Sequence, residues 1–241
     1  MDEFLNSPYG IAVIVAFDVI ALLAVVCITY RWLFKRIFDF FVSGICLILL
    51  SPLFLVFGVQ SVQAKKRGEI ENVFIRTPYI GKKGKEIRLL SYARENLQNG
   101  KFAKLPRLID VFLGRLSFIG CKPFTAQDTV FLTEVQNDRH IAKPGLINPL
   151  VLYGDRDTDY EDMLLSDEKY AWNFAFFKDV KIFFVWLLKQ IRGEGNGFLG
   201  ATREGSYAEY LLRSGEITQE NYEKAGQTDE KTADKTNGEN K

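Results

Sequence analysis

The first sixty residues hold two long apolar runs, and the charges flanking each run decide how it can meet a membrane. Residues 10–30, GIAVIVAFDVIALLAVVCITY, have the length a helix needs to cross the ~30 Å hydrocarbon core. Asp2 and Glu3 precede the run, whereas Arg31, Lys35 and Arg36 follow it. This asymmetry predicts a cytoplasmic carboxyl end and an amino end outside. A secretory signal peptide is disfavoured, because its leading region is basic and this one is acidic. Asp18 falls mid-span, where an ionised carboxylate costs ~3 kcal/mol on insertion scales. It reads either as a protonated or protein-facing acid, or as a functional proton or partner contact.

Residues 37–58, IFDFFVSGICLILLSPLFLVFG, are also long enough to cross, but their flanks argue otherwise. Lys35 and Arg36 stand before them and Lys65, Lys66 and Arg67 after them, which favours keeping both ends on the cytoplasmic side. Pro52 cannot donate to the carbonyl of Ile48, and its ring bends the helix. Each limb is then roughly 15 Å long, enough to reach mid-bilayer and return. Ser51 can bond a carbonyl freed at the kink, and Arg36 and Asp39 are i,i+3 neighbours at the helix entry. The pattern predicts a re-entrant hairpin in preference to a plain kinked span.

With 241 residues and a net charge of +1, the chain can bury one ordinary domain with extra segments and projects no global field toward nucleic acid. Cys27, Cys46 and Cys121 show no paired spacing, which predicts a reduced protein facing the cytosol. His140 is the single histidine, so neither a His-rich zinc site nor a Ser-His-Asp triad gains support.

Beyond the membrane-like part, residues 73–76 and 87–90 alternate as strands around a Gly- and Lys-rich turn with Lys83-Gly84 at its tip. That turn can cradle phosphate or simply be solvated. Residues 104–113 read as a helix with Pro106 in its first turn. Asp110 shares a face with Ala103 but lies about 10 Å further along the axis, which makes it a surface or capping residue. Residues 170–191, YAWNFAFFKDVKIFFVWLLKQI, read as a helical run whose aromatic face, with Lys178, Lys181 and Lys189, suits the headgroup region or a core. In the tail, residues 207–225 predict two short helices around Gly215 with Thr218 capping the second, and residues 226–241 are expected to be disordered.

Residues 101–123, KFAKLPRLIDVFLGRLSFIGCKP, carry a frame of Leu105, Pro106, Leu108, Val111, Gly114, Ser117, Gly120 and Pro123. This frame resembles the bacterial sugar transferases, the monotopic phosphoglycosyl transferases that load sugar phosphate onto a polyprenol phosphate. Their pattern reads Ser-Leu-Asp-Glu-Leu-Pro-Gln-Leu, then Asn-Val-Leu-x-Gly-x-Met-Ser-x-Val-Gly-Pro-Arg-Pro. The membrane motif Lys35, Arg36, Asp39, Ser43, Leu47, Ser51, Pro52 is similar to the family's re-entrant helix, and Asp179-Val180-Lys181-Ile182 to its Asp-Leu-Lys-Ile. The departures lie at the chemistry. The family's Asp-Glu pair falls on Ala103 and Lys104, its Lys-Phe-Arg on Ser91, Tyr92 and Ala93, and two of its arginines on Lys122 and Lys143.

The resemblance implies an α+β, membrane-associated protein. Its parts are an N-terminal transmembrane helix (1–34), a re-entrant Ser-Pro-kinked helix (35–64), a small cytoplasmic domain with interfacial amphipathic helices (65–199), a short helical hairpin (200–225) and a tail (226–241). In the family, the Asp attacks the diphosphate of a nucleotide sugar, magnesium assists, and the lipid phosphate accepts the sugar phosphate. Ala103 has no nucleophilic atom, and losing a nucleophile costs about a million-fold in a well-studied hydrolase. Lys104 puts a positive charge where a metal-supporting carboxylate belongs, so no cofactor is expected. Lys104, Lys122 and Lys143 are the candidate phosphate-binding residues. The reading is a degenerate, non-catalytic subunit or regulator of an intact transferase in polysaccharide or glycoconjugate assembly at a bacterial inner membrane, facing the cytoplasm. Its partners would be membrane lipids, polyprenol phosphate, nucleotide sugar and that transferase, with no nucleic acid. Two alternatives stay open. One is a transferase with an altered mechanism, using Asp110 or an acid among residues 155–162; the other is a scaffold without carrier recognition.

Overall fold

A computed structural model describes residues 7–29, 34–93, 102–152, 159–192 and 206–227; positions 155, 157 and 228–241, about which the sequence raised expectations, lie outside them. The architecture mixes helix and sheet and is mostly helical. Helix α1 (Pro8–Thr29) presents apolar side chains outward on every side, with Phe17 71% and Ile20 64% exposed. The portion that counts as apolar helix, Ile11–Val25, is shorter than a span; among the described residues no single helix is long and apolar enough to cross a membrane. The second apolar run is broken, into α2 (Lys35–Leu49) and α3 (Ser51–Lys66), bent by 65°. The two limbs together have the length and composition of a broken span or a re-entrant loop. Pro52 sits in the first turn of α3, and the Ser51 hydroxyl donates to the Ile48 carbonyl at 2.8 Å, taking up the acceptor that Pro52 leaves without an N–H.

Strands β1 (Phe74–Ile80) and β2 (Glu86–Tyr92) form an antiparallel hairpin with Arg76 opposite Leu90. Lys83 (φ 58°) and Gly84 (φ 71°) turn it in the left-handed region. Helix α4 (Arg107–Phe112) follows Pro106, whose missing N–H costs nothing at that position. A parallel pair, β3 (Ser117–Ile119) and β4 (Gly145–Ile147), crosses the centre, with short helices α5 (Ala126–Val130) and α6 (Glu134–Asn137) between them, each opened by a Thr capping box. Where β3 meets β4 the backbones nearly touch. A Cβ on Gly120 would lie 2.5 Å from the Lys143 carbonyl, and one on Gly145 would lie 2.0 Å from the Gly120 nitrogen. Only glycine fits at either place.

The aromatic run expected as a single helix is two: α7 (Tyr160–Asn173) and α8 (Phe176–Ile191). Phe174 and Ala175 adopt extended backbone between them, and burial of Tyr170 and Phe174 against the core outweighs helix propensity there. Two apolar clusters result. The larger joins α3, β2, α4, β3, β4, α7 and α8 through Phe57, Leu89, Tyr92, Leu108, Val111, Phe118, Ile147, Tyr170 and Trp186. The smaller packs Phe124, Leu150, Tyr160, Met163 and Leu164 against Tyr207 and Leu211 of α9 (Tyr207–Ser214). Gly215 turns α9 into α10 (219–227), where the Thr218 hydroxyl accepts from Asn221 N. The helix thus runs through Gly226 and Gln227, the first two residues of the segment expected to lack structure.

Candidate anion-binding site

The basic-acidic motif at the head of α2 is a fastener. Lys35 Nζ, almost fully buried, donates to Asp179 Oδ2 (2.6 Å), the Tyr170 hydroxyl (2.9 Å) and the Ile119 carbonyl (3.1 Å). Tyr170 in turn donates to Asp179 Oδ1 at 2.7 Å. Asp39 accepts from Phe118 N (2.9 Å) and the Ser117 hydroxyl (2.8 Å), binding α2 to β3. Arg36 does not close on Asp39, as the i,i+3 spacing had suggested. Its two terminal nitrogens donate to the Val111 and Phe112 carbonyls, at 2.9 and 2.7 Å, at the carboxyl end of α4. A cation there satisfies orphan carbonyls and suits the helix dipole, and this outcompetes a local pair.

The two regions that depart from the family pattern are neighbours in space. The Tyr92 N–H donates to the Ala103 carbonyl at 2.9 Å, joining the end of β2 to the turn that precedes α4. Phe102 stacks on Phe57 of α3 at 4.7 Å, and the Tyr92 hydroxyl donates to the Phe54 carbonyl at 3.2 Å, so this turn rests directly on the bent helix pair. Ser91 and Tyr92 are buried, while Ala103 and Lys104 are half-buried at the rim. Asp110 is not a surface residue. It is 1% exposed and accepts from Leu90 N (2.7 Å) and Arg115 (3.2 Å), tying β2 to α4.

Lys122 lies in the smaller cluster. Its Nζ donates to the Tyr160 hydroxyl at 2.9 Å and stands 4.7 Å from the centre of the Tyr160 ring and 5.9 Å from that of Phe124. Burial pushes its ammonium down to about 7; Asp128 and Asp167 oppose the fall, while Lys104 and Arg139 add to it. Lys104 and Lys122 therefore share one electrostatic neighbourhood. Lys143 belongs to another: its Nζ donates to the Gly114 carbonyl at 2.9 Å, and burial lowers its pKa, with Arg36, Lys82 and Lys35 adding to the fall and Asp39 opposing it.

Beneath Lys122 is a polar knot that sequence reasoning missed. Arg139, 2% exposed, donates to Asp167 Oδ2 and to the Lys122 carbonyl, both at 2.5 Å, with its guanidinium 3.6 Å from the centre of the Phe124 ring. Asp167 also accepts from Asn148 (2.8 Å) and Lys122 N (3.1 Å). Arg139 Nη1 is buried without a hydrogen-bond partner. The stretch Gln136-Asn137-Asp138-Arg139 is polar throughout, so nothing local marks one member as interior.

This donor set does not fit a magnesium ion. Among the described residues no group of three or more His, Cys, Asp or Glu is placed to hold a metal. The Asp110 carboxylate is taken by Leu90 N and Arg115, and the Asp167 carboxylate by Arg139, Asn148 and Lys122 N. What the rim offers is cationic and amphipathic, suited to a phosphate-bearing ligand.

The structure is thus a bent apolar helix pair locked to a small mixed domain that carries several lysines at its rim. Residues 93–193 match the family profile described as bacterial sugar transferase. It is 31% identical over 110 residues to a Bacillus subtilis (strain 168) protein named uncharacterized sugar transferase EpsL, covering 46% of this chain and 54% of that protein. It is 26% identical over 188 residues to the UDP-glucose:undecaprenyl-phosphate glucose-1-phosphate transferase of Klebsiella pneumoniae, covering 65% of this chain and 40% of that protein. The chain thus spans about half the length of these curated relatives or less.

Proposed function

We propose that this chain is a membrane-seated, non-catalytic relative of the phosphoglycosyl transferases, serving polysaccharide or glycoconjugate assembly beside an intact transferase. The carrying observation is chemical. The turn that meets Tyr92 bears a methyl group at Ala103 and an ammonium at Lys104, where the family pattern has its attacking and supporting carboxylates. Among the described residues, two acids that could be considered in their place are already engaged. Asp110 is buried and doubly bonded, and Asp159 accepts from Tyr160 N at the start of α7.

The ligand class on this reading is a polyprenol phosphate or a nucleotide sugar, in keeping with the substrates named for the Klebsiella relative. Lys104 and Lys122 would meet the phosphate, with Lys143 the weaker candidate because the Gly114 carbonyl holds it. Membrane seating is supported by the outward apolar side chains of α1, by Phe41, Ile48, Leu49 and Leu55 of the bent pair, and by Phe177, Phe184, Leu188 and Ile191 on α8. The basic flanks and the 65° bend support the re-entrant form, with the domain on the cytoplasmic side.

The test is a transfer assay with this chain alone, an intact relative alone, and both together. No sugar phosphate moves with this chain alone, and its presence changes the relative's rate. A glycosyl phosphate adduct found on the isolated polypeptide by mass spectrometry would overturn the reading in favour of an altered catalytic route.

A further inference from the structure

The helices α9 and α10 lie beyond the matched segment 93–193, yet they pack against the Phe124 and Tyr160 rings that flank Lys122. Three contacts seat them. Asp128 Oδ1 accepts from the Ser206 hydroxyl and from Ala208 N (3.0 Å), so the amino end of α9 rests on this carboxylate. Tyr207 stacks on Phe124 at 5.8 Å and leans on Tyr160 at 5.4 Å, and Tyr210 meets Tyr160 at 4.9 Å. Farther along, the Gln127 amide donates to the Tyr222 carbonyl at 3.0 Å. Phe124 and Tyr160 are the two rings over which the Lys122 ammonium stands, and Asp128 is the strongest influence favouring its charge.

We infer that residues 206–227 form an intramolecular strap whose seating on Asp128, Phe124 and Tyr160 withholds Lys122 from anions, and whose release opens it. Two effects act in one direction. Lifting Tyr207 and Tyr210 from Phe124 and Tyr160 lets water reach the Lys122 side chain, which relieves the burial that disfavours the ammonium. Freeing Asp128 from two donors leaves its negative charge fully available to Lys122. Among the described residues, the groups facing Lys122 include Asp128, Asp167, Lys104, Arg139 and the Tyr160 hydroxyl, and of these Asp128 and Tyr160 are touched by the strap. By linkage, an anion that binds the open form weakens the strap's own seating. The inference rests on Lys122 being the phosphate contact, so its test separates the two ideas.

Lys122 acylation is followed against pH by mass spectrometry in the full-length protein, for wild type, the double variant Ser206→Ala/Tyr207→Ala, and Gln127→Ala. Lys35, held by Asp179, reports in the same digest whether the fold stands. The wild-type labelling midpoint lies near 7. The double variant raises it by at least one pH unit, so the neutral amine at a given pH below the midpoint falls about tenfold. Gln127→Ala moves it the same way by less, and it decides the matter if Lys35 becomes reactive in the double variant. Midpoints unchanged with Lys35 protected overturn the strap. Inorganic pyrophosphate is the binding probe at pH 7.5, and it binds more tightly to the strap variants. A shifted midpoint with no change in pyrophosphate binding supports the strap's hold on Lys122 but removes the anion role proposed for it.

Discussion

Lys35 and Asp179 are 144 positions apart, and their contact holds a membrane-type helix to the last helix of the matched segment. Removing one partner leaves a buried charge alone, which costs about 3–5 kcal/mol. Lys35→Ala should therefore lower the unfolding midpoint in detergent far more than Lys224→Ala, whose partner Glu220 is exposed. His140 gives a pH signature. Burial, with Arg139 adding to it, pushes its pKa down to about 4, against 6.5 for a free histidine. The neutral ring is the form the fold accepts. Its stabilisation is complete above pH 6.5 and is lost as pH falls toward 4, because the unfolded chain binds the proton first. With allowance for partial exposure the loss is about 1–2 kcal/mol. Denaturant melts from pH 7 to 4 should show this fall, and His140→Gln should flatten it.

Among the elements, the β3–β4 pair is the least tolerant of change. A methyl on residue 145 would meet the Gly120 nitrogen at 2.0 Å, so the strands must part. Gly145→Ala should cost at least ~3 kcal/mol and lower the yield of folded protein, measured by size exclusion and thermal melting. Gly84→Ala strains a left-handed residue with open space around it and should cost only about 1 kcal/mol. Local elements were the legible part of the sequence. The Lys83-Gly84 hairpin, the helix after Pro106, the break at Ser51-Pro52 and the turn at Gly215 all rest on short-range sterics or on a missing donor. The break at Phe174 was not legible, because it depends on Tyr170 reaching Lys35 and Asp179.

For the whole molecule, the charges flanking the first apolar run predict that Ser7 and Glu69 lie on opposite sides of a membrane. In a cysteine-free background, Ser7→Cys should react with an impermeant maleimide from outside intact cells, and Glu69→Cys only after lysis. Reaction of both from outside would show instead that the bent pair crosses. The sequence by itself determined the apolar runs, the charge at their ends, the short turns and the family frame, since each depends on residues within a few positions of one another. Its resemblance to the family pattern also set Ala103 and Lys104 against the Asp-Glu pair, which is what the proposed function rests on. Tertiary structure alone decided that Arg36 caps α4, that Asp110, Arg139 and Asp167 are interior, and that α9 packs on Phe124 and Tyr160. The reason is physical: a charge becomes buried only when distant segments supply its partners, and no local pattern records which segments those are.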